Sequence, residues 1–72
     1  MLELYGTASC PFTQDMRDWL ELSGRDFIEF DVEKDRDAHA RVTSLTGQRT
    51  IPVLVENGKP VQIGWQGRGC VI

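Results

Sequence analysis

Ser9-Cys10-Pro11-Phe12-Thr13 sets a cysteine between an apolar segment and a helix, and the fold can be read outward from it. Upstream, Leu2 and Leu4 alternate with Glu3 and Tyr5, the period of a short strand, which ends at Gly6. Gly6-Thr7-Ala8-Ser9 is a loop of small residues leading to the cysteine. Downstream, Pro11 suits a first helical position, because its fixed φ matches the helix and its missing N–H is not needed there. Phe12, Met16, Trp19 and Leu20 recur at helical spacing, with Gln14, Asp15, Arg17, Asp18 and Glu21 on the other side. Ser23-Gly24 supplies the stop. Cys10 therefore stands at a helix N-terminus, where about half a positive charge and unpaired N–H groups favour an anion. Such a position can draw a cysteine pKa from ~8.5 down to between about 3.5 and 7.5, and the thiolate is the reactive form.

Further along, Phe27 to Val32 reads as a second strand with Ile28, Phe30 and Val32 on one face. Strand, helix and strand in succession point to a parallel βαβ unit with a right-handed crossover. Asp35 and Asp37 open a second helix, favourably placed for its dipole. Its inner stripe is Ala38, Val42 and Leu45, Asp37 and Arg41 form an i,i+4 pair, and Thr46-Gly47 closes it. His39 lies off the stripe and reads as a solvated surface residue rather than a catalytic base. Pro52 to Glu56, then Asn57-Gly58, then Lys59 to Ile63 is a hairpin, since a type I′ turn needs positive φ at both central positions. Pro60 puts its second strand at a sheet edge. The three glycines in Gly64 to Ile72 leave that segment irregular or at most briefly helical. The order is βαβ–α–ββ, an α/β chain in one layer pair.

Composition narrows the function classes. With 72 residues, the chain (1–72) is expected to be one domain. Eight basic residues are scattered among eleven acidic ones for a net charge of −3, which argues against nucleic-acid and anionic-membrane surfaces. No apolar run approaches the ~20 residues of a membrane span, and Met1 to Tyr5 lacks the features of a signal peptide. A cytoplasmic monomer is expected. Two cysteines and one histidine are too few for a closed zinc site, so no metal is expected. A structural disulfide between Cys10 and Cys70 is left open.

The order of elements resembles the glutaredoxin family of the thioredoxin fold. Cys10-Pro11-Phe12-Thr13 stands at the first strand–helix junction, Gly47-Gln48-Arg49-Thr50-Ile51-Pro52 precedes the third strand, and the Asn-Gly hairpin follows. Gly64-Trp65-Gln66-Gly67 looks like the Trp-Ser-Gly segment of short glutaredoxin-like reductants that serve ribonucleotide reductase. The combination with Trp65-Gln66-Gly67-Arg68-Gly69-Cys70 is similar to a small group often called Uxx-star, some members of which carry selenocysteine where this chain has Cys10. The resemblance implies a minimal thioredoxin/glutaredoxin fold with a four-stranded mixed sheet. It also implies a cis Pro52 facing the cysteine, with the backbone before it pairing to a bound peptide or glutathione as an added strand. The chain departs from the family twice. Thr13 replaces the second cysteine of Cys-x-x-Cys, and no acidic residue follows in Gly64 to Arg68 where many members hold the amino group of glutathione.

The resemblance implies a thiol–disulfide oxidoreductase in which Cys10 attacks a disulfide sulfur and a second thiol resolves the mixed disulfide. The resolver is either an external thiol or Cys70, which needs a folded-back tail to come within about 7 Å, Cα to Cα; its default reading is an uninvolved terminal thiol. Thr13 is a catalytic candidate because its hydroxyl could bond the thiolate or the first helical turn. Pro11, Phe12, Thr50, Ile51 and Pro52 are expected to line the substrate or glutathione site. Arg49 and, more weakly, Arg68 are candidates for meeting a carboxylate, and Trp65 for covering the sulfur or gripping a partner, against plain packing. No bound cofactor is expected, with glutathione as co-substrate. The partners are disulfide-containing proteins or glutathione, with a thioredoxin reductase-like donor as another source of electrons. The alternatives are a single-cysteine [2Fe–2S] carrier, in which Cys10 would be a ligand, and a thiol peroxidase.

Overall fold

The computed structural model describes all 72 residues. Strand β1 (Leu2–Gly6) leads through a short loop into helix α1 (Pro11–Leu22), followed by β2 (Ile28–Asp31), α2 (Arg36–Thr46), β3 (Thr50–Ile51), β4 (Val53–Glu56), β5 (Lys59–Ile63) and β6 (Cys70–Val71). The main sheet runs β2-β1-β4-β5, with β1 parallel to β2 and antiparallel to β4. This is the expected four-stranded mixed sheet. The hairpin joining β4 and β5 turns on Asn57 and Gly58, at φ 53° and 83°, and β5 lies at the edge as Pro60 requires.

The single layer pair expected from the element order is replaced by a sheet covered on both faces. Successive strand residues point to opposite sides, and both sides of β1 and β4 are apolar. Leu2, Leu4 and Leu54 pack with Met16 and Leu20 of α1. Tyr5, Val53 and Val55 pack with Ala38 and Val42 of α2, together with Cys10, Val32 and Ile51. The two helices thus take opposite faces, and the central strands are buried on both, as a continuous run such as Val53-Leu54-Val55 demands.

Side-chain placement departs from the expected pattern at Trp19, Thr13, Ile28 and Arg41. Trp19 is 40% exposed, whereas Thr13, absent from the expected stripe, is fully buried against Gly6. The tight approach of α1 to β1 at that glycine is the reason, since only a small side chain fits there. Ile28 is 43% exposed, at the start of the edge strand β2. The Asp37–Arg41 pair does not form. The Arg41 guanidinium instead donates to the Tyr5 hydroxyl at 3.0 Å and lies 5.4 Å from the Phe30 ring centroid. Guanidinium stacks on aromatic faces, whereas an exposed i,i+4 pair contributes only about 0.3–0.5 kcal/mol. Asp35 caps α2 through the Ala38 N–H at 3.1 Å, and Gly47 closes it at φ 67°.

The last nine residues are neither irregular nor helical. Gln66 and Gly67, at φ 49° and 78°, make a second tight turn in which Trp65 and Arg68 exchange backbone hydrogen bonds of 2.6 and 2.9 Å. The chain then runs back as β6, antiparallel to β3 with Thr50 opposite Val71 and Ile51 opposite Cys70. Glycine at position 69 permits the approach, because a Cβ there would lie 2.6 Å from the Ile51 carbonyl oxygen. Neither periodicity nor propensity signals so short a strand, which exists only because β3 offers it an edge.

Candidate active site

Cys10 is the N-cap residue of α1, its carbonyl accepting from the Thr13 and Gln14 N–H groups at 3.1 and 3.3 Å. No acidic residue of the helix itself stands in the first turn; the Glu33 carboxylate is held by Ser9, one residue before Cys10. Pro11 holds the first helical position and is exposed, and Phe12 is half-buried against the cluster that contains Cys10. The Cys10 side chain itself is only 2% exposed.

Cys70, left open as a disulfide partner, is bonded to Cys10 rather than a free terminal thiol. The fold-back of β6 brings its Cα to 6.2 Å from that of Cys10, and the two sulfurs are bonded. The pairing that does this uses the backbone of Thr50 and Ile51, directly before Pro52. The Ile51–Pro52 peptide bond is cis. The edge at which the resemblance implied a bound peptide or glutathione is therefore occupied by the chain's own tail. The Ile72 N–H extends the pairing by donating to the Arg49 carbonyl at 2.8 Å.

The remaining candidates divide between this place and others. Ile51 and Pro52 are buried beside the disulfide and Thr50 is half-buried, while Arg49 presents an exposed side chain. Arg68 is exposed in the tail turn. Trp65 packs on the α1 side of the sheet, its ring 5.8 Å from that of Trp19. The Thr13 hydroxyl makes no side-chain cap bond; it is buried without any hydrogen-bond partner. A buried unpaired hydroxyl costs about 1–3 kcal/mol.

A groove of about 660 Å³ opens beside the disulfide, between the loop after β1, the start of α2 and the tail. Thr7, Ser9, Glu33, His39, Cys70 and Val71 are among its walls, and Cys10 is not. Ser9 Oγ donates to Glu33 Oε1 at 3.2 Å and lies 3.5 Å from Thr7 Oγ1. His39, expected as a solvated surface residue, is half-buried in this wall. Sequence periodicity places a residue relative to its own helix only, and so carried no signal for the tail that closes the groove around it.

A redox-capable cysteine pair at a strand–helix junction beside a cis proline is an arrangement suited to thiol–disulfide exchange, and similar proteins are known. A small protein of Clostridium pasteurianum, described as an uncharacterized glutaredoxin-like 8.6 kDa protein in the rubredoxin operon, is 28% identical over 58 residues, 81% of this chain and 77% of that one. The crystal structure of a glutaredoxin from Archaeoglobus fulgidus superposes with a TM-score of 0.80 at 26% identity, covering 90% of this chain and 75% of that one. A buckwheat glutaredoxin solved as a complex with glutathione shares the fold at a TM-score of 0.73, with 20% identity over 86% of this chain and 59% of that one. The glutaredoxin family profile itself matches residues 2–61, from the first residue of β1 into β5. With that match and this architecture, the chain belongs to the glutaredoxin family.

Proposed function

We propose that the protein is a thiol–disulfide oxidoreductase working with two cysteines, Cys10 as nucleophile and Cys70 as resolver. The observation that carries the reading is the tail strand that brings Cys70 to Cys10. In the reduced protein the Cys10 thiolate attacks one sulfur of a substrate disulfide. A Cys10–substrate disulfide forms, and the substrate's other sulfur leaves with the electron pair. The Cys70 thiolate then attacks the Cys10 sulfur and expels the second substrate thiolate. Two substrate thiols are released, and the protein is left as the Cys10–Cys70 disulfide.

The missing second cysteine at Thr13 is thus made good by a residue at the other end of the chain. On this reading the Thr13 hydroxyl, in the same first turn and without a partner in the oxidised form, donates to the Cys10 thiolate once it is freed. The exposed Arg49 and Arg68 are suited to carboxylates of an incoming substrate. The electron donor is glutathione or the thiol of a reductase; glutathione is supported by the family and by the buckwheat relative solved with it. A cluster carrier would need Cys10 free as a ligand, and no arrangement of residues favours that reading over exchange.

The test is turnover of a disulfide substrate by the wild type, Cys10→Ser and Cys70→Ser, with trapped species identified by mass. Cys10→Ser should fall to background. Cys70→Ser should accumulate the Cys10–substrate disulfide and turn over more slowly unless excess external thiol is supplied. Full activity in Cys10→Ser would end the proposal, and unchanged turnover without accumulation in Cys70→Ser would remove Cys70 from it.

A further inference from the structure

Which sulfur of the oxidised protein the electron donor attacks is a separate matter, and it rests on the oxidoreductase reading above. We propose that the reducing thiol attacks Cys70, through the groove walled by Thr7, Ser9, Glu33, His39 and Val71, and that Cys10 is the leaving group.

Access to the sulfurs and the stability of the leaving group point the same way. Thiol–disulfide exchange is an in-line displacement, so the incoming sulfur needs open space behind the sulfur it attacks. Cys10 is 2% exposed and sits in the core cluster with Tyr5, Val32, Val42 and Ile51. Cys70 is half-buried and forms part of the groove wall. The β3 edge is closed to a donor because β6 lies on it. The groove volume, about 660 Å³, falls within the roughly 300–1,000 Å³ of small-molecule sites, which suits a small thiol of the size of glutathione.

The second argument is the leaving group. Of two sulfurs, the one with the lower thiol pKa leaves faster. Cys10 leaves onto the N-terminus of α1, with no acidic residue in the first turn. Cys70 lies in a two-residue strand rather than at a helix cap, and the start of α2 that shares its groove carries Asp37 in the first turn. Access and leaving-group stability therefore select the same bond polarity.

The step balances with two equivalents of a small thiol. The first thiolate forms a bond to the Cys70 sulfur as the Cys10–Cys70 bond breaks, its electron pair remaining on Cys10. The second thiolate attacks the sulfur of the bound small thiol and releases Cys70 as a thiolate. The products are one small-molecule disulfide and the dithiol protein, with the two donor protons passing to solvent or to the cysteines. On this route the nucleophile for the next substrate is freed in the first step, before the donor has left.

The experiment mixes the oxidised full chain with glutathione, quenches with acid at short times, alkylates free thiols and maps both cysteines by mass spectrometry. The expected result is glutathione on Cys70 and the alkyl label on Cys10, at least tenfold over the reverse. Glutathione on Cys10 with the label on Cys70, in equal or greater amount, would overturn the proposal. A second arm uses His39→Trp to fill the groove. Opening by glutathione should slow about tenfold while the unfolding temperature of the oxidised form holds, and an unchanged rate would count against the groove. Failure of both glutathione and dithiothreitol to open the disulfide would instead sink the oxidoreductase reading, and this proposal with it.

Discussion

The two ends of the Cys10–Cys70 disulfide are held in unlike ways. Cys10 belongs to a framework in which β1 and β4 are buried on both faces and two helices close the sheet. Its backbone is tied to the first turn of α1, and its side chain is part of the core. Cys70 belongs to a nine-residue tail held by a tight turn, a two-residue strand, hydrogen bonds from Gly64 to Pro52 and from Ile72 to Arg49, the packing of Trp65 on Trp19, and the partial burial of Cys70 and Ile72 against the core. Segments with few buried contacts and few hydrogen bonds open locally at little cost, whereas core strands open only with the whole fold. The comparison suggests a division of labour. In the proposed mechanism the nucleophile sits on the rigid framework at a helix N-terminus, and the resolver is carried on the tail that pairs with the β3 edge.

The largest expected effect breaks the covalent link between the two regions. Closing a loop with a sequence separation of 60 stabilises the folded state by about 4 kcal/mol in the chain-entropy account. That corresponds to a fall in melting temperature on the order of 20 °C when the disulfide is reduced. Cys70→Ser should melt like the reduced wild type. A difference below about 1 kcal/mol between the oxidised and reduced forms would show that the tail adds nothing to the framework.

A smaller effect isolates the docking of the tail from its chemistry. In Gly69→Ala the new Cβ would meet the Ile51 carbonyl oxygen at 2.6 Å and the Thr50 Cγ2 at 2.7 Å. Closure of the disulfide should slow by about tenfold, equivalent to roughly 1.4 kcal/mol, while alkylation of Cys10 in the reduced protein keeps its rate. Stopped-flow oxidation with an alkylation control reads both. If the two rates fall together, the framework and tail are not separable in the way argued.

The smallest effect tests the framework side alone. Thr13→Val keeps the shape of the side chain and removes its unpaired buried hydroxyl. The oxidised form should gain about 1 kcal/mol in urea unfolding. In the reduced form the gain should shrink, because the hydroxyl then has the thiolate to bond. An equal gain in both forms would deny Thr13 a part in holding the thiolate.

How much of this could be read in advance depended on the range of the interactions involved. The turn at Asn57-Gly58, the start of α1 at Pro11 and the cap at Asp35 are local: each is decided by the φ or hydrogen-bonding capacity of one or two residues. The position of Cys10 followed from them. Periodicity misjudged Trp19 and Thr13 because it assigns an inner face without knowing how closely the neighbouring strand approaches. It paired Arg41 with Asp37 because the rings of Tyr5 and Phe30 are distant in the chain. The strand β6 had no local signature at all.

By itself, then, the sequence determined the strand–helix junction, the cysteine at its end, the hairpin and the resemblance to glutaredoxins. All are properties of short stretches whose backbone preferences need no distant partner. Only the tertiary structure decided what stands opposite Cys10. That outcome depends on a second tight turn at Gln66-Gly67, on the unpaired backbone of Thr50 and Ile51 offering an edge, and on Gly69 leaving room for the approach. A hydrogen-bonded edge is created by the fold as a whole, so the partner it selects is not written in the residues that occupy it.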